Sequence, residues 1–168
     1  AIQWLRDKLF FFKDAKQTEI LYSEANKSEN VVIVPALTGL GAPHWNPNAR
    51  GAIFGLTRNT AIPEIVKATL DSLVFQTFDL INIMEKDSNI KIKGIYVDGG
   101  MADNNKFIQS LSDILQIEII KPNNVEASVL GAAYLAYINS NSQKNNNELA
   151  INIDKYNVKD SISFFPKK

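Results

Sequence analysis

The sequence predicts an α/β domain whose strands run parallel and are joined by right-handed helical crossovers. In its second half IKGIYVDGG, a short extended run ending on two glycines, leads into DNNKFIQSLSDILQ, where Phe107, Ile108, Leu111, Ile114 and Leu115 mark one helix face. The order repeats at once: IEIIKP is a strand closed by Pro122, and ASVLGAAYLAYI is a helix whose Gly131, Ala132, Ala133 and Ala136 permit close packing. Strand, helix, strand, helix implies parallel pairing, because a helical crossover returns the chain in the same direction. A ligand on such a sheet sits at the carboxyl ends of the strands.

The earlier elements follow in order. Ile2, Leu5 and Leu9, with Trp4 beside them, have helical spacing, and a more polar helical stretch runs from about Ala15 to Ala25. Both read as surface helices. Val31 to Val34 is a β-branched run stopped by Pro35, and it opens into the Gly-, Pro- and Asn-rich loop TGLGAPHWNPNARG. Gly51 to Leu56 is a further short extended piece. From Pro63 an apolar stripe through Ile65, Val66, Thr69, Leu70, Leu73, Phe75, Leu80, Ile81 and Met84 predicts a long helix, with the proline where a first turn accepts it. After Asn139 the segment NSNSQKNNNE has no apolar period and reads as a flexible loop or tail.

Composition narrows the function. The 168 residues are 45% hydrophobic and 21% charged, the balance of a globular domain with one sizeable core. Eighteen basic residues balance eighteen acidic ones, so no basic stripe offers the phosphate contacts that nucleic-acid binding needs. The absence of cysteine excludes disulfides and thiolate metal sites and agrees with a reducing compartment, with cytoplasm the default. The opening AIQWLRDKLFFF carries Arg6, Asp7 and Lys8, so it reads as neither a signal peptide nor a membrane span. Helical from its first residues without a cap, it is expected to be an internal start produced by a cut.

Among residues that could carry chemistry, Val97-Asp98-Gly99-Gly100-Met101-Ala102-Asp103-Asn104-Asn105 stands out as a strand end, a glycine pair and a polar run opening a helix. Two glycines there let a flat ligand approach the backbone and leave N–H groups facing the crevice, as a nucleotide site requires. The same residues also describe a tight turn followed by an ordinary cap from Asp103 or Asn104, and spacing alone leaves both readings open. No GxxxxGK[ST] is present and no GxGxxG follows a strand. A single histidine, His44, excludes histidine-paired triads and multi-histidine metal sites within the chain. Trp45 and Arg50 could contact a ligand, but an aromatic anchor pinning the loop to the core is the expected role. Asp71, Asp79 and Glu85 are read as carboxylates on a solvated helix face.

Taken together, GAIFGL followed by EIVKATLD, with AIQWLRD at the start, GLGAPHWNPNARGAIFGLTR in the middle, VDGGMADNN and LGAAYLA, resembles the glycerol kinases. These belong to the carbohydrate-kinase superfamily that includes xylulokinases and gluconokinases. The resemblance covers residues 1–138. It implies the C-terminal part of an actin-like, ribonuclease-H-like ATPase fold lacking its first strands, with residues 1–139 as the kinase domain and 140–168 as an Asn-rich loop and truncated end. The implied reaction moves the γ-phosphate of ATP, as its Mg²⁺ complex, to glycerol. The implied nucleotide contacts are Gln3, Gly100 and Asn104. The catalytic aspartate, glycerol contacts and metal ligands are implied to lie upstream, so the chain alone is expected to be inactive, with an exposed sheet edge. The parent is expected to be a cytoplasmic homo-oligomer. His44 stands where the family often has tyrosine, and YINSNSQKNNN replaces an apolar, glycine-containing continuation. A kinase for another polyol or sugar, or a non-catalytic actin-like nucleotide module, are the alternatives.

Overall fold

A computed structural model describes residues 1–26, 28–122, 129, 131–132, 135–136 and 161–167. Helices α1 (Ile2–Asp7) and α2 (Gln17–Glu24) precede strands β1 (Val32–Val34) and β2 (Ala52–Phe54), which pair antiparallel as a separate two-stranded ribbon. The long helix α3 (Ile62–Ser88) leads to β3 (Gly94–Tyr96), a 3₁₀ turn (Gly100–Asp103), α4 (Asn105–Leu115), β4 (Glu118–Pro122) and β5 (Ser161–Phe164). β3 and β4 are parallel around the α4 crossover, as the sequence requires, with Ile95 opposite Ile119. Val129, Gly131, Ala132, Leu135 and Ala136 are helical, in line with the helix expected there.

α3 is the spine of the molecule. Val66, Leu70 and Val74 recur at i, i+4 and i+8 and are wholly buried, so one stripe feeds two apolar clusters. Val66 and Leu70 pack with Leu5 and Phe12, while Val74 packs with Ala102, Ile108, Leu111 and Ile119. Phe107 touches both clusters and joins them. Burying side chains of this size stabilises by about 2 kcal/mol each relative to exposure. The helix begins where Pro63 presets its first turn and Glu64 accepts the backbone N–H groups of Ala61 (2.8 Å) and Asn26 (2.9 Å). It ends at Asn89 in the left-handed conformation, a residue that tolerates this region.

Several expectations are corrected or refined. α1 lies on the surface as expected, with Gln3 and Asp7 exposed, but it is docked by Leu5, which is completely buried against α3. Trp45 does not anchor the loop to the core, since it is 76% exposed. The loop is closed by bonds to its own backbone instead: Leu40 and Asn46 exchange N–H···O bonds of 2.8 and 2.9 Å, and the Arg50 side chain donates to the carbonyls of Pro47 and Ala49. Asp71 is not on a solvated face, because it accepts hydrogen bonds from Tyr22 (2.8 Å) and Lys67. Glu85 accepts from Lys91 and from the Ile92 N–H (2.8 Å), holding the end of α3 to the chain that follows. Asp79 stays half-exposed, with His44 Nε2 at 3.6 Å.

The sequence reading placed no strand near the C-terminus, yet β5 pairs antiparallel with β4 and sets Phe164 opposite Ile119. The expected flexible loop or tail after Asn139 falls on residues 140–160, outside the described residues. Among the described residues no helix is long and apolar enough to cross a membrane. Large apolar side chains remain exposed on the ribbon and on the outer face of α3, among them Val32, Phe54, Leu56, Phe75 and Met84.

Candidate functional site at the end of the third strand

β3 continues its pairing through the Val97 N–H, which donates to the Ile120 carbonyl at 3.0 Å, and the chain then turns at Asp98. The two glycines that follow differ in what requires them. Gly99 has φ 88° and ψ 175°, a conformation almost confined to glycine, and its N–H is received by the Asp98 carboxylate at 2.7 Å. Gly100 has no such backbone constraint, and a Cβ built on it would meet no protein atom within 4 Å. The turn therefore explains Gly99, while nothing within the described residues requires a glycine at position 100. The space beside Gly100 is open.

That space belongs to a cleft of about 550 Å³ between the start of α2 and the 3₁₀ turn, bordered by Asp14, Lys16, Thr18, Glu19, Gly100 and Asn104. Its volume suits a ligand of nucleotide size. Asp103, on its rim, is 3.4 Å from the Lys121 ammonium. A smaller hollow of about 310 Å³ beside Trp4, Ile33, Val34 and Ile53 is lined mainly by apolar atoms and gathers few polar groups.

Asn104 is almost wholly buried at the cleft wall. Its Oδ1 accepts the Phe107 N–H at 2.9 Å, so it is the N-cap of α4. Its Nδ2 donates to Thr18 Oγ1 on α2 at 3.0 Å. Of the three nucleotide contacts implied by the family resemblance, Gly100 and Asn104 thus border one cleft. Gln3 lies exposed on α1 and does not line it.

Residues the sequence reading missed hold the cleft's two walls together. Thr18 is buried and ties α2 to Asn104, while one turn further along α2 Tyr22 reaches Asp71 of α3, with Ser110 of α4 at 3.5 Å from the same carboxylate. Burial pushes the Tyr22 hydroxyl up to about 12, and the Asp71 charge adds to the effect, so it remains a donor throughout the physiological range. The Lys67 ammonium lies 5.3 Å from the centre of the Tyr22 ring and completes the junction. The only sequence trace of these ties is that Thr18 and Tyr22 are four residues apart on a helix.

Comparison with known proteins shows the family. The C-terminal domain of the FGGY family of carbohydrate kinases matches residues 1–140. A glycerol kinase of Pediococcus pentosaceus is 50% identical over 136 residues, 81% of this chain and 27% of its own length. One of Alkaliphilus metalliredigens is 44% identical over 150 residues, 89% of this chain and 30% of its own length. The crystal structure of Plasmodium falciparum glycerol kinase with ADP superposes on 99% of this chain and 32% of its own, with a TM-score of 0.82 and 30% identity. A ligand-bound xylulose kinase of Lactobacillus acidophilus, at 24% identity and a TM-score of 0.74, shares the fold. The chain therefore spans less than a third of the length of these curated relatives, and its fold is part of the actin-like ATPase architecture of such kinases. With its parallel β3–α4–β4 unit and its matching residues 1–140, this chain belongs to the FGGY family of carbohydrate kinases, as a C-terminal domain.

Proposed function

We propose that this chain is the nucleotide-binding, C-terminal part of a glycerol kinase, which moves the γ-phosphate of ATP to glycerol and yields glycerol 3-phosphate and ADP. The observation that carries the nucleotide reading is Gly100: it borders the cleft, and neither backbone conformation nor internal packing accounts for a missing side chain there. Glycerol as acceptor is supported by the names and 44–50% identity of the bacterial relatives. The nucleotide is supported by the Plasmodium falciparum crystal structure, which is that of a glycerol kinase with ADP.

In this reading Gly100 and Asn104 hold the adenosine part of ATP, with Gln3 approaching from α1 in the whole enzyme. Asn104 has one N–H and one oxygen lone pair left after its two internal bonds, enough to orient a ligand. Phosphoryl transfer further requires a base for the attacking hydroxyl and metal-held phosphates. Among the described residues no group of three or more His, Cys, Asp or Glu gathers to hold a metal ion. We therefore assign the Mg²⁺ ligands, the base and the glycerol contacts to the remainder of a longer polypeptide. That remainder would also cover Phe54, Leu56, Phe75 and Met84, and the chain without it would be inactive. The whole enzyme is proposed to be a cytoplasmic homo-oligomer.

Kinetics of Asn104→Ala in the full-length kinase test this directly. The KM for ATP should rise about tenfold, the scale of one lost buried hydrogen-bonding group, with that for glycerol changed less than about twofold. An equal rise in both removes Asn104 from the adenosine site.

A further inference from the structure

We propose that Thr18 is the positioning residue of the nucleotide cleft, fixing on α2 the Nδ2 end of the Asn104 amide whose Oδ1 end is held by α4. The inference rests on the nucleotide reading of the cleft and adds a residue on a different element, 86 positions away in sequence. The Thr18 hydroxyl donates its single proton to the Ala15 carbonyl at 2.6 Å. Only oxygen lone pairs then remain to meet Asn104, so the partner must be the Nδ2 donor, which approaches at 3.0 Å. At the other end of the amide the Phe107 N–H, with no acceptor within its own helix, requires Oδ1 and finds it at 2.9 Å. The two demands are complementary, and a flipped amide would fail both.

Thr18 is 1% exposed and Asn104 6%, so water cannot readily replace either partner. The amide is thus set before any ligand arrives, and ordering it is not charged against binding. The Tyr22–Asp71 bond one turn along α2 keeps Thr18 at this distance by docking the same helix face on α3. Without the Thr18 acceptor only the Phe107 N–H still holds Oδ1, so the Nδ2 end loses its partner on α2 and can swing about that one remaining bond. A ligand then has to order it.

The test compares Thr18→Val, nearly isosteric but without a hydroxyl, with Thr18→Ser in the full-length kinase. ADP affinity is measured by calorimetry and KM for ATP and glycerol by initial rates. Thr18→Val should weaken ADP and raise the ATP KM about tenfold with glycerol KM within about twofold, and Thr18→Ser should restore both. The double variant Thr18→Val/Asn104→Ala should bind ADP no worse than Asn104→Ala alone, because Thr18 acts through that amide. Additive losses, or a lower melting temperature with ADP affinity unchanged, overturn the inference while the nucleotide reading stands. If Asn104→Ala and Gly100→Val also leave ADP affinity unchanged, both fall together. Amide-proton exchange in the unsubstituted protein needs no variant to fold: one Asn104 Nδ2–H should exchange slowly with solvent, and rapid exchange of both overturns the proposal.

Discussion

The ribbon formed by β1, its long loop and β2 is shaped by backbone, whereas the junction of α2, α3 and α4 is shaped by side chains. In the ribbon the closures are main-chain bonds between Leu40 and Asn46, local bonds between the Arg50 and Asn46 side chains and the loop's own backbone, and close backbone approaches at glycine, while Trp45, Phe54 and Leu56 are exposed. In the junction, Thr18, Asn104, Tyr22 and Asp71 meet through side-chain hydrogen bonds across elements far apart in sequence. The difference separates two tasks. A surface that holds its form through the main chain can leave its apolar side chains available to a neighbouring part of a larger protein, and a cleft built from side chains can be tuned to a ligand.

The largest effect should come from the ribbon. Gly55 has φ 76°, and a Cβ there would stand 2.2 Å from the Asn30 carbonyl oxygen, so Gly55→Ala must displace backbone at the entry to β1. We expect a loss of about 3 kcal/mol of stability by denaturant titration, from positive-φ strain and overlap together. A loss too small to measure would break the claim that the main chain sets this region's shape.

A smaller effect is expected at the seam between the regions. Glu64 joins the end of α2 to the start of α3, and the backbone N–H of Asn26, then that of Ala61, hold its carboxyl below the ordinary glutamate range against the opposing effect of burial. A carboxylate whose folded pKa is depressed contributes stability above its unfolded pKa and loses that contribution as pH falls through the folded value. Glu64→Gln should therefore cost about 1 kcal/mol near neutral pH, the worth of a helix cap, and the cost should shrink on acidification. A pH-independent difference in unfolding free energy would show that the carboxylate charge plays no part in the seam.

How much of this was legible in the sequence follows the same division. The parallel strand–helix–strand unit was readable because period and turn chemistry are local: Ile95 and Ile119 lie in short β-branched runs, and Gly99 ends the first of them. That Gly100 and Asn104 lie close together was also legible from the strand, glycine-pair, helix run, whereas the cleft they share with α2 and the open space beside Gly100 were not. The sequence misplaces Trp45 because a tryptophan in a loop ordinarily anchors, and local sequence does not reveal that this ring stays exposed. Thr18 and Asp71 were not legible at all. Their partners are set by tertiary packing, and on a helix a threonine or aspartate reads as an ordinary surface residue. β5 escaped because SISF is short and its pairing with β4 is distant in sequence.

The central claim is that the cleft between α2 and the 3₁₀ turn receives a nucleotide, and Gly100→Val tests it most directly. Since a Cβ at this position meets no protein atom within 4 Å, the substitution should leave the melting temperature within about 2 °C, the scale of a surface change. ADP affinity of the full-length protein, measured by calorimetry, should fall at least about tenfold as the branched side chain fills the approach. Unchanged ADP affinity in a protein of unchanged melting temperature would contradict the account.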